Sequence, residues 1–138
     1  MRYLCDTSVW LRGATEPGTL PEQLQKILAR KDEAFGLSAI SLWEVGKKHQ
    51  IGKIDLKKDL AAWLREAVAN HIQLLPITAD IVADAMGLPD FPNRDPADEL
   101  IVGTARVHSL ILLTTDKMLK GYSHARIEYF TPVLGKGS

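Results

Sequence analysis

Four acidic residues that lie far apart in the chain could together perform hydrolytic chemistry: Asp6, Glu44, Asp98 and Asp116. Asp6 directly follows a short apolar run, and Asp116 follows a longer one after two threonines. Glu44 and Asp98 lie near the starts of two segments whose apolar residues recur with helical spacing. Carboxylates that are brought close together repel one another, so a cluster of them must take up protons or bind a cation.

The residue types in these acidic motifs favour Mg²⁺ or Mn²⁺ over zinc. No histidine or cysteine lies in the motifs, whereas protein zinc sites are built mainly from those residues. An all-oxygen site suits the harder cations, which retain several waters and engage phosphate oxygens. Such an ion makes a bound water a better nucleophile. We therefore predict that Asp6, Glu44, Asp98 and Asp116 are both the metal ligands and the catalytic residues.

Short apolar runs alternate with amphipathic helical segments, which predicts an α/β fold with a parallel sheet between layers of helices. The predicted strands are Tyr3–Cys5, Ala34–Leu37, Leu74–Ile77, Leu110–Leu113 and Ile127–Phe130. Helices are predicted over Leu24–Leu28, Leu60–Val68, Asp80–Met86 and Asp95–His108. A further helix is predicted to start at Ser38 or Ser41 and to run to about Lys48. Ligands bind such sheets outside the carboxyl ends of the strands, and all four acids are predicted to lie at that edge.

Each acid also has an ordinary structural explanation. Asp6 and Asp116 could cap the helices that follow them. The sequence Ser41-Leu42-Trp43-Glu44 matches a capping box. Asp98 falls in the first turn of a helix, where the helix dipole favours a carboxylate. These explanations weaken in combination, because they do not account for all four acids falling at one edge of one sheet.

The bulk composition indicates a single globular domain. The chain has 138 residues, 46% of them hydrophobic and 25% charged, close to ordinary globular usage. Basic and acidic residues number 17 each, so composition alone does not indicate a nucleic-acid partner. The lone Cys5 excludes an internal disulfide and suits the reducing cytoplasm, and no apolar run is long enough to span a membrane. We predict one domain over residues 1–133 and a tail over 134–138.

Four motifs resemble those of the PIN-domain family, and within it the VapC toxins of toxin–antitoxin pairs. The motifs are Asp6-Thr7-Ser8, Ser41-Leu42-Trp43-Glu44, Asp95-Pro96-Ala97-Asp98 and Leu113-Thr114-Thr115-Asp116. The resemblance runs from Tyr3 to about Phe130. It implies a three-layer α/β/α fold whose five-stranded parallel sheet has the order 3-2-1-4-5, with Asp6 beside Asp116. One departure is Glu99, where the family commonly has arginine; it removes none of the four carboxylates.

The same resemblance implies a function. It implies an endoribonuclease that uses Mg²⁺ or Mn²⁺, forms a homodimer and is blocked by a small VapB-like antitoxin whose tail enters the acidic groove. Ser8 and Thr115 match hydroxyl positions that assist the site in similar proteins. Because RNA is negatively charged, basic residues should rim the acidic pocket. The candidates by position are Lys47, Lys48, Arg94 and Lys117, while Trp10 and Trp43 could stack bases or pack in the core.

Two other hypotheses remain open at this point. The first is a PIN fold that has lost its activity and serves as a binding module. The second is a receiver-type signalling domain, which would need paired acids after the first strand and a phosphorylatable Asp after the third. Asp6 is a single acid, and no acid occupies the required position in Pro76-Ile77-Thr78. These sequences disfavour the receiver-type domain.

Overall fold

Five short parallel strands form one sheet in the order β3-β2-β1-β4-β5. We describe a computed structural model, which covers residues 1–69 and 71–133; the predicted tail at 134–138 lies outside the described residues. The strands are β1 (Tyr3–Cys5), β2 (Phe35–Ser38), β3 (Ile72–Leu75), β4 (Ile111–Thr114) and β5 (Ile127–Tyr129). The order confirms the sheet that the resemblance implied, and it reverses between β1 and β4.

Six helices connect and cover the strands. They are α1 (Thr7–Thr15), α2 (Glu22–Leu28), α3 (Ala39–Gln50), α4 (Leu60–Ala67), α5 (Ala79–Met86) and α6 (Pro96–Val107). Single-turn helices lie at Pro17–Thr19 and Lys117–Leu119. Five of the six helices were predicted from the sequence to within a few residues. Helix α1 was not predicted, although Asp6 is a possible helix cap.

The sheet separates two hydrophobic clusters, as expected for a three-layer α/β/α fold. Successive residues of a strand point to opposite faces, so Tyr3 and Cys5 belong to one cluster and Leu4 to the other. The first cluster lies under α1 to α4, and the second lies under α6. Trp10 belongs to the first cluster: it is buried, and its indole N–H donates a 3.0 Å hydrogen bond to the Ala67 carbonyl.

Strand β3 lies at the edge of the sheet. It covers Ile72–Leu75, two residues earlier than the predicted Leu74–Ile77. Pro76 therefore lies just beyond the strand and removes no ladder hydrogen bond. No helix among residues 1–69 and 71–133 is both long and apolar enough to cross a bilayer.

The packing of α6 against α5 fixes the position of the helix that carries Asp98. Gly103 faces α5, and a Cβ atom placed there would lie 3.0 Å from the Ile81 carbonyl oxygen. The absence of a side chain therefore lets the two helices approach closely. The guanidinium of Arg106 adds an ion pair with Asp84 at 2.8 Å, which joins the same two helices further along.

Candidate acidic site

Three of the four predicted acids follow strands, namely β1, β2 and β4. The fourth lies at the start of α6, the helix that precedes β4. Asp6 comes directly after β1, and its backbone N–H donates a 3.0 Å hydrogen bond to the Leu113 carbonyl of β4. Asp116 comes two residues after β4, Glu44 lies in the helix that follows β2, and Asp98 lies in the first turn of α6. Because neighbouring parallel strands end at the same edge, the chain brings Asp6 and Asp116 to adjacent strand ends.

Asp6 is a buried carboxylate that also caps α1. Its side chain is 6% exposed. One oxygen accepts a 2.9 Å hydrogen bond from the Thr7 backbone N–H, and the other accepts a 2.7 Å bond from the Thr114 hydroxyl. Burial raises the pKa of Asp6, and the negative charge of Asp116 raises it further. The two hydrogen bonds and the charge of Lys48 act in the opposite direction.

A single threonine hydroxyl joins Asp6 to the strand end that carries Asp116. Thr114 Oγ1 donates to Asp6 and accepts a 3.0 Å hydrogen bond from the Asp116 backbone N–H. The Asp116 side chain accepts from the Met118 N–H at 2.9 Å and so caps the following single-turn helix. The capping role considered for Asp116 is therefore confirmed, and so is the one considered for Asp6. In both cases the second carboxylate oxygen has no part in the cap bond.

A second threonine connects α1 to Glu44. Thr7 Oγ1 donates a 2.5 Å hydrogen bond to Glu44 Oε1 and lies 2.7 Å from the Ser41 hydroxyl. Because the one hydroxyl proton of Thr7 goes to Glu44, Ser41 must donate to Thr7. Burial raises the pKa of half-buried Glu44, with Asp6 and Asp95 adding to the effect. The Thr7 hydrogen bond and the charge of Lys48 lower it.

The capping-box interpretation of Ser41 and Glu44 is wrong. Helix α3 begins one residue after Ser38, whose hydroxyl accepts the Ile40 N–H at 3.3 Å. Ser41 is buried inside the helix and faces Thr7. Ile51, seven residues after Glu44 and therefore on the same side of α3, is 55% exposed, whereas Glu44 contacts Thr7 of α1.

Asp98 is held by the loop that precedes its helix. Asn93 Nδ2 donates a 3.0 Å hydrogen bond to Asp98 Oδ2, and Asn93 Oδ1 accepts the Asp95 N–H at 2.9 Å. Asp95 caps α6 by accepting a 3.0 Å hydrogen bond from the Ala97 N–H. Burial raises the pKa of Asp98 to about 7, and nearby negative charges contribute in the same direction. Those charges belong to Asp6, Asp95, Asp116 and Glu44.

The negative charges that act on Asp98 therefore belong to the other three predicted acids and to Asp95. Among the described residues, no three acids, histidines or cysteines lie close enough together to hold a metal ion by themselves. The donor chemistry nevertheless fits a hydrated hard cation. Mg²⁺ commonly takes only one or two carboxylates and keeps several waters. A bound dication would also offset the burial and the repulsion that raise the pKa values of Asp6, Glu44 and Asp98.

The hydroxyls that bond the acids lie one residue before the predicted ones. Ser8 and Thr115 are half-buried, and their assisting role stays a prediction. Thr7 and Thr114 make the hydrogen bonds to Glu44 and Asp6. The sequence did contain a signal for them, because each is a hydroxyl residue within two positions of a strand end and of an acid. The motif alone could not select between adjacent hydroxyls.

Of the four basic candidates, Lys48 is the one whose charge reaches the acids. It is half-buried and lowers the pKa of both Asp6 and Glu44. Lys47 is exposed and donates to Gln50 at 2.7 Å. Arg94 and Lys117 are exposed at positions next to the helix starts of the site. Trp43 is 61% exposed beside Glu44, unlike the buried Trp10.

Comparison with known proteins places the chain in a family. The family model of the PIN domain matches residues 3–125. Ribonuclease VapC22 of Mycobacterium tuberculosis is 32% identical over 123 residues, which cover 89% of this chain and 93% of that protein. The chain therefore belongs to the PIN-domain family. The observed strand order also differs from the 2-1-3-4-5 order of receiver domains, so the receiver-type hypothesis is set aside.

Solved structures share the fold. The crystal structure of DNA-bound VapBC from Salmonella typhimurium matches with a TM-score of 0.71 and 16% identity, over 94% of this chain and 98% of that one. The structure of VapBC2 from Rickettsia felis, bound to a DNA fragment from the promoter, gives a TM-score of 0.70 and 17% identity over the same shares. At these identities the likeness concerns the fold.

Proposed function

We propose that this protein is a Mg²⁺- or Mn²⁺-dependent endoribonuclease, the toxin of a VapBC-type toxin–antitoxin pair. The observation that carries the proposal is the position of Asp6, Glu44, Asp98 and Asp116 at one edge of the sheet, where Thr114 bonds Asp6 and Thr7 bonds Glu44. The charges of the other three acids add to the effect of burial on the pKa of Asp98. The 32% identity with a ribonuclease supports the same reaction class. Its RNA substrate would lie in the cytoplasm.

In this proposal Asp6, Glu44, Asp98 and Asp116 hold one or two divalent ions. A bound ion supplies water activation and neutralises charge that develops on the phosphate. Thr114 and Thr7 fix the carboxylates of Asp6 and Glu44 by donating to one oxygen of each. A carboxylate oxygen has lone pairs beyond the one used in a hydrogen bond, so both carboxylates would still be able to accept an ion or its waters. With a pKa of about 7, the Asp98 carboxyl is partly protonated near neutral pH, and a bound cation would favour its ionised form.

The basic residues would hold the RNA backbone. Lys48 has the most direct role, because its ammonium group already acts on Asp6 and Glu44. Lys47, Arg94 and Lys117 are exposed around the same edge and would contact flanking phosphates. The exposed indole of Trp43 offers a surface on which a base could stack.

Cleavage of RNA in the presence and absence of metal tests the proposal. The purified protein should cut RNA with Mn²⁺ or Mg²⁺ and stop when EDTA is added. Asp6→Asn and Asp98→Asn should each abolish cleavage. Glu99→Gln, in the same turn of α6, is the matched control and should retain activity. Cleavage that survives EDTA or either aspartate substitution would refute the mechanism, and RNA binding without cleavage would establish the inactive binding module.

We further propose a VapB-like antitoxin and a homodimer as the protein's partners. The solved complexes of the same fold, named VapBC, support the antitoxin. Val82 and Met86, one turn apart on α5, expose apolar side chains that a second copy could cover.

Expression of the chain alone should arrest growth, and growth should resume with Asp6→Asn. Light scattering should give the mass of a dimer; a monomer at micromolar concentration would contradict the homodimer.

A further inference from the structure

A basic cleft lies beside the acidic site, between α1 and the end of α3. Its walls include Ser8 and Arg12 from α1, Lys48 from α3 and Lys53 from the segment that follows. Ser8 adjoins Thr7, and Lys48 acts on the Asp6 and Glu44 carboxyls. The cleft is therefore continuous with the site at this end. We call it the α1–α3 cleft.

The end of α3 places the second lysine next to the first. The Lys53 N–H donates a 2.9 Å hydrogen bond to the Lys48 carbonyl, and the Gly52 N–H donates at 3.2 Å to His49. Gly52 has φ +78°, so the chain reverses in the left-handed region. These two bonds and this glycine define a Schellman motif, which brings the residue after the glycine back over the last helical turn.

The residue brought back is commonly apolar, because it packs against the helix. Here it is an exposed lysine. Lys48 is favoured near the helix C-terminus by the dipole of α3, but Lys53 lies beyond the helix, and its proximity to another cation is unfavourable by itself. Two lysines that the backbone joins in this way, and that line one cleft beside an acidic site, suit an anion that contacts both.

The far end of the cleft has the opposite charge. Glu16 and Asp55 line the α1–α3 cleft and also line the neighbouring depression toward α4, which Ser8 and Lys48 do not reach. The basic stretch is thus bounded by the catalytic acids on one side and by Glu16 and Asp55 on the other. Its extent suits a few consecutive phosphates of a single strand and does not suit a long duplex.

We propose that the α1–α3 cleft binds the RNA phosphates next to the one that is cleaved, with Lys53 as a substrate-binding residue. This inference rests on the proposed ribonuclease function and assigns the direction in which the strand leaves the site. Arg12 forms part of the same wall. Lys53 is the residue to test, because it is exposed and lies outside the acidic site.

The test compares Lys53→Ala with Lys31→Ala. Lys31 is also exposed, but it lies just before β2, at the opposite edge of the sheet. Binding of a single-stranded RNA of about ten nucleotides is measured against salt concentration in an Asp98→Asn background with Mg²⁺. Lys53→Ala should reduce the slope of log K against log salt by about 0.7, the value for one phosphate contact on a single strand. Lys31→Ala should leave the slope unchanged.

Cleavage kinetics provide an independent readout. In the otherwise unmodified protein, Lys53→Ala should raise KM severalfold for the ten-nucleotide RNA and leave kcat unchanged. A dinucleotide substrate should be insensitive, because it is too short to reach Lys53. Equal salt slopes for Lys53→Ala and Lys31→Ala, with metal-dependent cleavage intact, would overturn this inference and leave the ribonuclease standing. Absence of cleavage by the unmodified protein would instead overturn the proposed function, while the salt slopes would still decide whether the cleft binds the strand.

Discussion

Thr114 donates a 2.7 Å hydrogen bond to Asp6 although the two residues are 108 positions apart in the chain. They meet because β1 and β4 are adjacent, with Cys5 paired to Leu113. The same hydroxyl accepts the backbone N–H of Asp116. One oxygen atom therefore positions two of the predicted metal ligands relative to each other.

Replacement of Thr114 should consequently damage both stability and activity. Thr114→Val keeps the shape but removes the donor to Asp6 and the acceptor for Asp116. Leaving buried polar groups unpaired costs about 1–3 kcal/mol, which urea unfolding would measure. RNA cleavage should fall with it, even at saturating Mn²⁺. Thr114→Ser should recover most of both, and a valine variant with full activity would contradict the positioning role.

Thr7 should be more important for Glu44 than the neighbouring hydroxyl, Ser8. Thr7→Val removes the donor to Glu44 and the acceptor for Ser41, so we expect a loss of about 1–3 kcal/mol in unfolding free energy. Cleavage should also decrease, because the Glu44 carboxylate is no longer fixed. Ser8→Ala is the matched control in the same turn of α1. If Ser8→Ala lost more stability and cleavage than Thr7→Val, Ser8 and not Thr7 would be the hydroxyl that supports the site.

The stability of the metal-free protein should fall as the pH rises. The pKa of Asp98 is about 7 in the folded chain, against an ordinary value of 3.8. Between these values the folded state holds a proton that the unfolded state has lost, so the contribution is full below pH 3.8 and is lost through pH 7. The raised pKa values of Asp6 and Glu44 act in the same direction.

Thermal unfolding in EDTA from pH 5 to pH 8 measures this loss. Asp98→Asn should flatten the decline in Tm, whereas Glu99→Gln should leave it unchanged. Mg²⁺ or Mn²⁺ should raise Tm more at pH 8 than at pH 5, because a cation binds the ionised carboxylates. A Tm that rises with pH in EDTA, or a metal effect that is larger at pH 5, would contradict the assignment.

A substitution remote from the acids should also disturb them. In Gly103→Ala the new Cβ would meet the Ile81 carbonyl at 3.0 Å and Ala85 Cβ at 3.3 Å. Separation of α5 from α6 should cost about 1–3 kcal/mol and shift the helix that carries Asp98. Chemical unfolding measures the loss of stability. The displacement of Asp98 should appear as a higher Mn²⁺ concentration for half-maximal cleavage. Gly18→Ala, where nothing lies within 4 Å, is the control and should change neither.

The strands and the position of the acids at their carboxyl ends could be predicted because both depend on local patterns, whereas the strand order came from the family resemblance. An apolar run with an acid at its end locates a strand and its carboxyl edge. Helix α1 was missed because Asp6 and Thr7 were interpreted as parts of a motif, and the nine-residue helix has only a short apolar stripe. The hydrogen bonds of Thr7 and Thr114 could not be predicted. They depend on how elements that are far apart in the chain pack against one another.

The separation of the tryptophans into different environments gives the protein its own optical reporters. Trp10 and Trp63 pack edge to face in the first hydrophobic cluster, with ring centroids 5.5 Å apart, so their emission should shift to the red only when the fold is lost. Trp43 is largely exposed beside Glu44 and should be quenched by acrylamide in the native state. Protection of that signal by added RNA would report strand association without any label, separately from unfolding.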